Sequence, residues 1–441
     1  MRTNVTAVGK VIKTHEGASA VRINELKELR RSVLSTMLWE NTFYESGDSI
    51  AFRIAELIPK VKPLDVANLA IEARDRMYLR HVPLFIAREL ARIKGAGTHV
   101  TNILEHVIQR PDELSEYVAM YWRGATSDAD KETLSAGSKR GLAKAFRKFN
   151  EYGFAKYDRD TVVKLRDVLR LIHAKPETAE QSALWRKVIN RSLETPDTWE
   201  VALSKGADKK ETFERLLREN KLGGLAFLRN LRNMVSAGVE SELIRNRFSQ
   251  PFEKVLPFRF VAACEHASTF LPELDAAMLR CIEAEKKLLG KTIILVDVSG
   301  SMDAPLSEKS DMTRVHAASG LAVLIREICP DVRVFTFSTH LVEVLAFRGL
   351  ALVDKIRTSQ AHHSTELGHA LSRLPEYDRL IVVTDEQSHD RVNAPKGKGY
   401  MINVGTYKNG VGYGAWTHID GWSDRVVDFI REVESTDESV S

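Results

Sequence analysis

Three cysteines in 441 residues are too few to hold a fold together. Cys264, Cys281 and Cys329 are odd in number, far apart and set among apolar residues, and no CxxC or HExxH pattern accompanies them. That excludes a disulfide scaffold and a structural zinc site, and it points to reduced core residues. No apolar run approaches the roughly 20 residues of a membrane span, so no membrane partner is expected. The first residues, Met1 to Thr6, lack an apolar signal core; a cytoplasmic location is the expectation. A strict internal repeat is also missing, although divergent helical repeats would leave none.

A chain of this length predicts two or three domains. The net charge of +4 hides a division. From Lys291 onward about 16 Lys and Arg face 21 Asp and Glu, so about +9 falls on residues 1–290. A basic N-terminal part suits a polyanion. Residues 1–20 show no period and read as an irregular arm. Residues 21–289 are helical in pattern, with apolar residues at three- and four-residue spacing in Asn24–Glu40, Ser49–Ile58, Pro63–Arg76, Val82–Lys94 and Thr98–Ile108. Such a series predicts stacked helical hairpins, an α-solenoid. Residues 290–434 read as a doubly wound α/β domain, and the acidic residues 435–441 as a disordered tail.

The most basic stretch lies between Lys139 and Lys175. Arg140, Lys144, Arg147 and Lys148 fall on one face of a helix. Arg166, Arg170 and His173 repeat the pattern on a second helix, opposite an apolar stripe of Val162, Leu165, Leu169 and Ile172. Lys156-Tyr157 is expected in the connection, with Arg159 close by. Long cations flanking an aromatic suit a phosphate backbone with a base to stack. The competing reading is a solvated charged face, with His173 an ordinary helix C-terminal histidine. Gly223-Gly224 reads as close helix packing or a break and not as a phosphate cradle, because no strand precedes it and no Lys-Ser/Thr follows.

Further on, the β-branched run Ile293–Val296 suits a buried strand and ends in Asp297-Val-Ser299-Gly-Ser301. The alternation aims Asp297, Ser299 and Ser301 to one side. Thr365 before a helix and Asp385 after the run Leu380–Val383 complete a hard-oxygen set suited to a divalent cation, Mg2+ above all. Strands are expected at Ile293–Val296, Arg333–Phe337, Leu341–Val344, Leu380–Val383 and Gly399–Val404, and helices at Met312–Cys329, Glu366–Leu374 and Asp424–Glu434. Asp303, Asp311 and Glu386 read as solvated or capping residues, and His362-His363 as surface loop. In type, order and spacing the five oxygen residues resemble the metal-ion-dependent adhesion site of a von Willebrand factor type A domain. A cation with so few charged ligands would accept an acidic protein ligand. The competing role is stabilisation of the strand ends alone.

A second resemblance covers the helical part. Phe154-Ala-Lys-Tyr157 and Leu165–Pro176, then Trp199-Glu200, Leu225–Met234 and Leu256–Phe260, resemble in order the motifs of the TROVE module of Ro autoantigen proteins, bacterial-type relatives above all. The resemblance implies HEAT-like repeats closed into a ring with the type A domain. It implies small noncoding Y-type RNA on the basic outer surface and single-stranded 3′ ends of misfolded RNA in a central hole. An exoribonuclease partner is implied as well, and Lys156 and His173 are the direct matches among the RNA contacts. A basic position of the family falls on Asp160, where neighbouring Arg159 would substitute.

Two function classes follow. The favoured one is a non-enzymatic RNA-binding scaffold in noncoding RNA quality control or decay. The rival is a metal-dependent nuclease, but a hydrolytic metal site normally gathers several carboxylates and a base, whereas hydroxyls dominate here.

Overall fold

The computed structural model describes residues 13–14, 24–34, 38, 45–124, 127–158, 160–204, 206–252, 255, 257–283, 285–306, 312–405, 407, 410–421 and 426–438. The described residues fall into two compact units. One is formed by Asp48–Arg247; the other joins the Glu25–Leu34 helix to Phe248–Ser441.

The first unit is all helix, and its helices start where local chemistry satisfies free N–H groups. Pro63 and Pro111 occupy first-turn positions, where the missing N–H costs nothing. The side chains of Ser135, Asn150, Thr178 and Asp208 accept the N–H of the residue three further on, at 2.8 to 3.1 Å. Gly223 is the N-cap of the Gly224–Ser236 helix and has nothing within 4 Å of a built Cβ, so it marks a helix start and not a packing contact.

The Gly97–Val107 and Ala136–Phe146 helices cross closely because glycines meet there. A Cβ on Gly137 would stand 2.5 Å from the Gly97 carbonyl oxygen, and the Thr101 hydroxyl donates to the Gly97 and Gly137 carbonyls at 3.0 Å. Gly137→Ala is expected to destabilise the protein by about 1–3 kcal/mol through overpacking, outweighing the ~1 kcal/mol helical gain of alanine. A urea midpoint that stays put would show that the crossing yields.

The second unit contains a six-stranded sheet: β1 Thr292–Asp297, β2 Val332–Phe337, β3 Leu341–Val344, β4 Arg379–Thr384, β5 Lys398–Asn403 and β6 Thr417–Asp420. Its order is β3-β2-β1-β4-β5-β6, parallel except for β3. β1 and β4 are buried along their whole length, as β-branched runs without alternation require. Ile293 and Leu295 pack with Phe335, Phe337, Leu380 and Val382 in one core. The doubly wound α/β expectation holds, with one strand, β6, and one helix, Gly349–Arg357, beyond those foreseen.

Composition and packing divide the chain differently. The composition change at 289/290 is real, but helices Pro257–Cys264 and Leu271–Glu283 pack with the α/β part. Gly320 in the Arg314–Ile328 helix lets Phe258 approach to 3.2 Å of a built Cβ, and Asp275 accepts the Leu350 N–H at 2.6 Å. Helical periodicity reports a buried face without saying which core buries it. The expected tail also needs correction, because the last helix runs Val426–Glu438. Glu434 is anchored by Arg379 and Tyr400, and no glycine or proline follows to stop the helix. Residues 439–441, Asp311 and most of the expected arm lie outside the described residues. The three cysteines are free thiols. No helix among the described residues is long and apolar enough to cross a membrane.

Candidate cation site and nucleic-acid interface

The strand order reverses between β1 and β4, so the loops that follow them part and leave a crevice at their carboxyl ends. Asp297 ends β1 and Asp385 follows β4; both are fully buried. Asp297 accepts the Ser299 N–H at 2.9 Å and the Thr384 hydroxyl at 2.6 Å. The Ser299 and Ser301 hydroxyl oxygens lie 3.3 Å apart. Thr365 arrives on a loop tied to both others: the His363 carbonyl accepts the Gly300 N–H, and the Thr365 carbonyl accepts the His389 N–H at 2.8 Å. The structure therefore brings together the loops that carry all five expected oxygen residues.

Burial, then the neighbouring Asp385 carboxylate, pushes the Asp297 carboxyl up to about 7. Two buried carboxylates with hydroxyls beside them form a donor set that a hard divalent cation would relieve, so the residues fit such an ion. One feature was not foreseen. Arg314, 4 % exposed, reaches Asp385 at 3.4 Å and offsets part of its charge. Among the described residues no group of three or more His, Cys, Asp or Glu could hold a metal, which leaves a hydroxyl-rich set as the candidate.

The neighbours differ from expectation in one case. Asp303 pairs with His362 Nδ1 at 2.8 Å, while His362 Nε2 faces the Arg357 carbonyl, so the loop reading holds for that histidine. Glu386 is not solvated. It is fully buried with a left-handed φ of 61°, pairing with Arg31 and with His418 Nδ1 at 2.8 Å. An acid beside a strand end reads as surface until its distant partners are known.

The basic stretch lies wholly in the helical unit, where its cations have unequal uses. Arg140 and Lys144 sit on the Ala136–Phe146 helix, but Arg147 is its C-cap and Lys148 lies beyond it. Lys144 pairs with Glu105 at 2.7 Å and Arg147 with Glu177 at 3.0 Å. Lys148 donates to the Glu105 and Ile108 carbonyls at the end of a neighbouring helix, a structural use that favours the dipole. Burial lowers its pKa. Lys156-Tyr157 lies in the short Glu151–Tyr157 helix and not in a connection.

Arg166 and Arg170 lie in Leu165–Ile172, and His173 caps that helix in the left-handed region. Arg140, Arg170 and His173 are exposed and have no ion-pair partner among the described residues. The apolar stripe is Val163, Leu165, Val168, Leu169 and Ile172; Val162 is 95 % exposed, because the helix begins only at Leu165. Arg159 lies outside the described residues. Asp160 is neutralised: Lys164 at 2.7 Å, with Arg191 at 3.5 Å, holds its carboxyl below the usual range.

Sequence reading missed Arg110, whose guanidinium stands 4.4 Å from the Tyr157 ring centre. Only its place before Pro111, an extended position at a helix start, hinted at a fixed side chain.

Comparison with known proteins adds two findings. The TROVE domain family model matches residues 189–316, which include Trp199-Glu200, Leu225–Met234 and Leu256–Phe260 but not Phe154–Pro176. The fold is similar to that of the crystal structure of the Deinococcus radiodurans RO (RSR) protein, with a TM-score of 0.59 and 15% identity over 91% of this chain and 97% of that one. Residues 189–316 thus match the TROVE domain, and the helices with the six-stranded α/β unit share the fold of a bacterial Ro protein.

Proposed function

We propose that this protein is a non-catalytic RNA-binding scaffold in noncoding RNA quality control or decay, working in the cytoplasm. The observation that carries the reading is the set of exposed cations Arg140, Arg170 and His173, without ion-pair partners among the described residues, in a chain with a TROVE match. Lys and Arg would supply most of the affinity by displacing counterions from phosphates. Tyr157 offers a face on which a base can stack. A small Y-type RNA on this surface is the expected ligand. The implied ring, a central hole for single-stranded 3′ ends and an exoribonuclease partner belong to the same proposal.

For the α/β unit we propose that Asp297, Ser299, Ser301, Thr365 and Asp385 hold a divalent cation, Mg2+ in the cell. Bound there, the ion would supply open coordination for the carboxylate of an acidic protein ligand. Asp297 and Asp385 provide charge, the three hydroxyls neutral oxygens, and Arg314 limits the net negative charge of the pocket. The set contains no further carboxylate free to act as a base, which favours docking over hydrolysis.

Reversing charge at Lys156, Arg166 and Arg170 together tests the RNA surface. Affinity for structured RNA at 100 mM salt is expected to fall at least tenfold, and the slope of log K against log salt to flatten by about 2–3, near 0.9 per lost phosphate contact. An unchanged slope would move the RNA elsewhere.

A further inference from the structure

The helical unit contains a cavity of about 440 Å3 between the Pro111–Tyr121 helix and residues 157, 160–163 and 165. Its size is that of a small-molecule cleft. Tyr157 lines it with Val163 and Leu165 buried behind, while Ala119 and Val162 stand exposed at its edge. Ser115, only 8 % exposed, makes no side-chain hydrogen bond to any described residue. A small apolar slot with an aromatic wall and an unused hydroxyl is built for a flat, partly polar group.

Its charges narrow the choice. Asp112 and Glu116 line one side; Arg110 pairs with Asp112 at 2.5 Å, and Arg80 reaches Asp112 at 3.4 Å and Glu116 at 2.9 Å. Burial alone would raise the Glu116 carboxyl, but His81 and Arg80 hold it below its usual range, so it remains an acceptor at neutral pH. Asp160 adds a third carboxylate, paired with Lys164. A free anion would meet three carboxylates, and a bare cation would compete with Arg80 and Lys164. Lys156, Lys164 and Arg166 nevertheless lie close in the chain to the cavity walls, where the phosphates flanking an inserted base would run.

We propose that this cavity receives one unstacked nucleobase of a bound single-stranded RNA and prefers bases with an exocyclic amino group, adenine, cytosine or guanine, over uracil. The proposal rests on the RNA-binding reading above and adds a specificity to it. Amino groups donate to the carboxylates, the Ser115 hydroxyl donates to or accepts from the base edge, and Tyr157 covers a face. Uracil has no amino group and flanks its one edge donor, N3–H, with two carbonyl oxygens that the carboxylates repel, so it binds less well there.

The test uses the full chain and RNA decamers of uridine that carry a single central adenosine, cytidine or guanosine, with all-uridine RNA as the reference. Each of the three is expected to bind about fivefold to tenfold more tightly than the reference, the scale of one good base-edge contact. Ala119→Trp, at an exposed helical position, fills the mouth; it is expected to abolish the difference while leaving the salt slope and the far-UV spectrum unchanged. Ser115→Ala should reduce the difference. Equal binding of all four RNAs by the unmodified protein overturns the cavity's role and leaves the phosphate surface standing. Absence of binding to every decamer overturns both.

Discussion

Replacing Arg31 by methionine is expected to cost the α/β unit about 3–5 kcal/mol, the usual penalty for leaving a buried partner charge uncompensated. Arg31 and Glu386 are fully buried, 1 % and 0 % exposed, and pair directly. Arg31 also donates to the Tyr413 hydroxyl at 2.8 Å and to the Tyr407 carbonyl at 2.6 Å. Burial opposes both charges, yet each carries the other: Glu386 raises the Arg31 pKa, while Arg31 and His418 lower that of Glu386. Chemical denaturation of Arg31→Met should show the loss. The double variant Arg31→Met with Glu386→Gln should recover part of it, since no buried ion is then left alone. Equal losses in the single and double variants would mean that packing, and not charge, dominates there. The pair also bears on the candidate cation site, because the Glu386 N–H donates to the Thr384 hydroxyl, which donates to Asp297.

Asp297→Asn is expected to abolish stabilisation by Mg2+. A cation that binds only the folded state at a hundred times its dissociation constant adds about 2.7 kcal/mol, so the melting temperature of the unmodified protein should climb with MgCl2. The variant keeps the side-chain shape but removes the charge, and its melting temperature should not respond. Without added cation the variant should be at least as stable as the unmodified protein, because Asp297 no longer faces Asp385 across a buried space. An equal rise with MgCl2 in both proteins would place the cation elsewhere.

The loops of the candidate cation site were legible in the sequence because each of its parts is local. A β-branched run ending in alternating Asp297, Ser299 and Ser301, and a second run ending in Asp385, fix two loop ends without any knowledge of the rest of the fold. Arg314 and the Arg31–Glu386 pair were not legible. The latter two are 355 residues apart, and an isolated Arg on an amphipathic helix looks solvated until its partner is found. β6 escaped because Thr417–Asp420 is four residues long and stands between Gly414 and Gly421, so neither length nor composition marks a strand. In the basic stretch the helix was correctly foreseen but its start was set early, which turned Val162 inward on paper although it faces solvent. Counting cations also overstated the candidate RNA surface, since Lys148 caps a helix end and Lys144 and Arg147 are paired with acids.

Mapping of photo-crosslinks between the full chain and a labelled RNA, in Mg2+, tests most directly whether the helical unit grips RNA while the α/β unit holds the cation. Crosslinked peptides are expected between residues 136 and 191, centred on Tyr157, with the RNA recovered intact. Crosslinks concentrated on the loops that carry Asp297, Thr365 and Asp385, or cleavage of the RNA that Asp297→Asn abolishes, would contradict that division of labour.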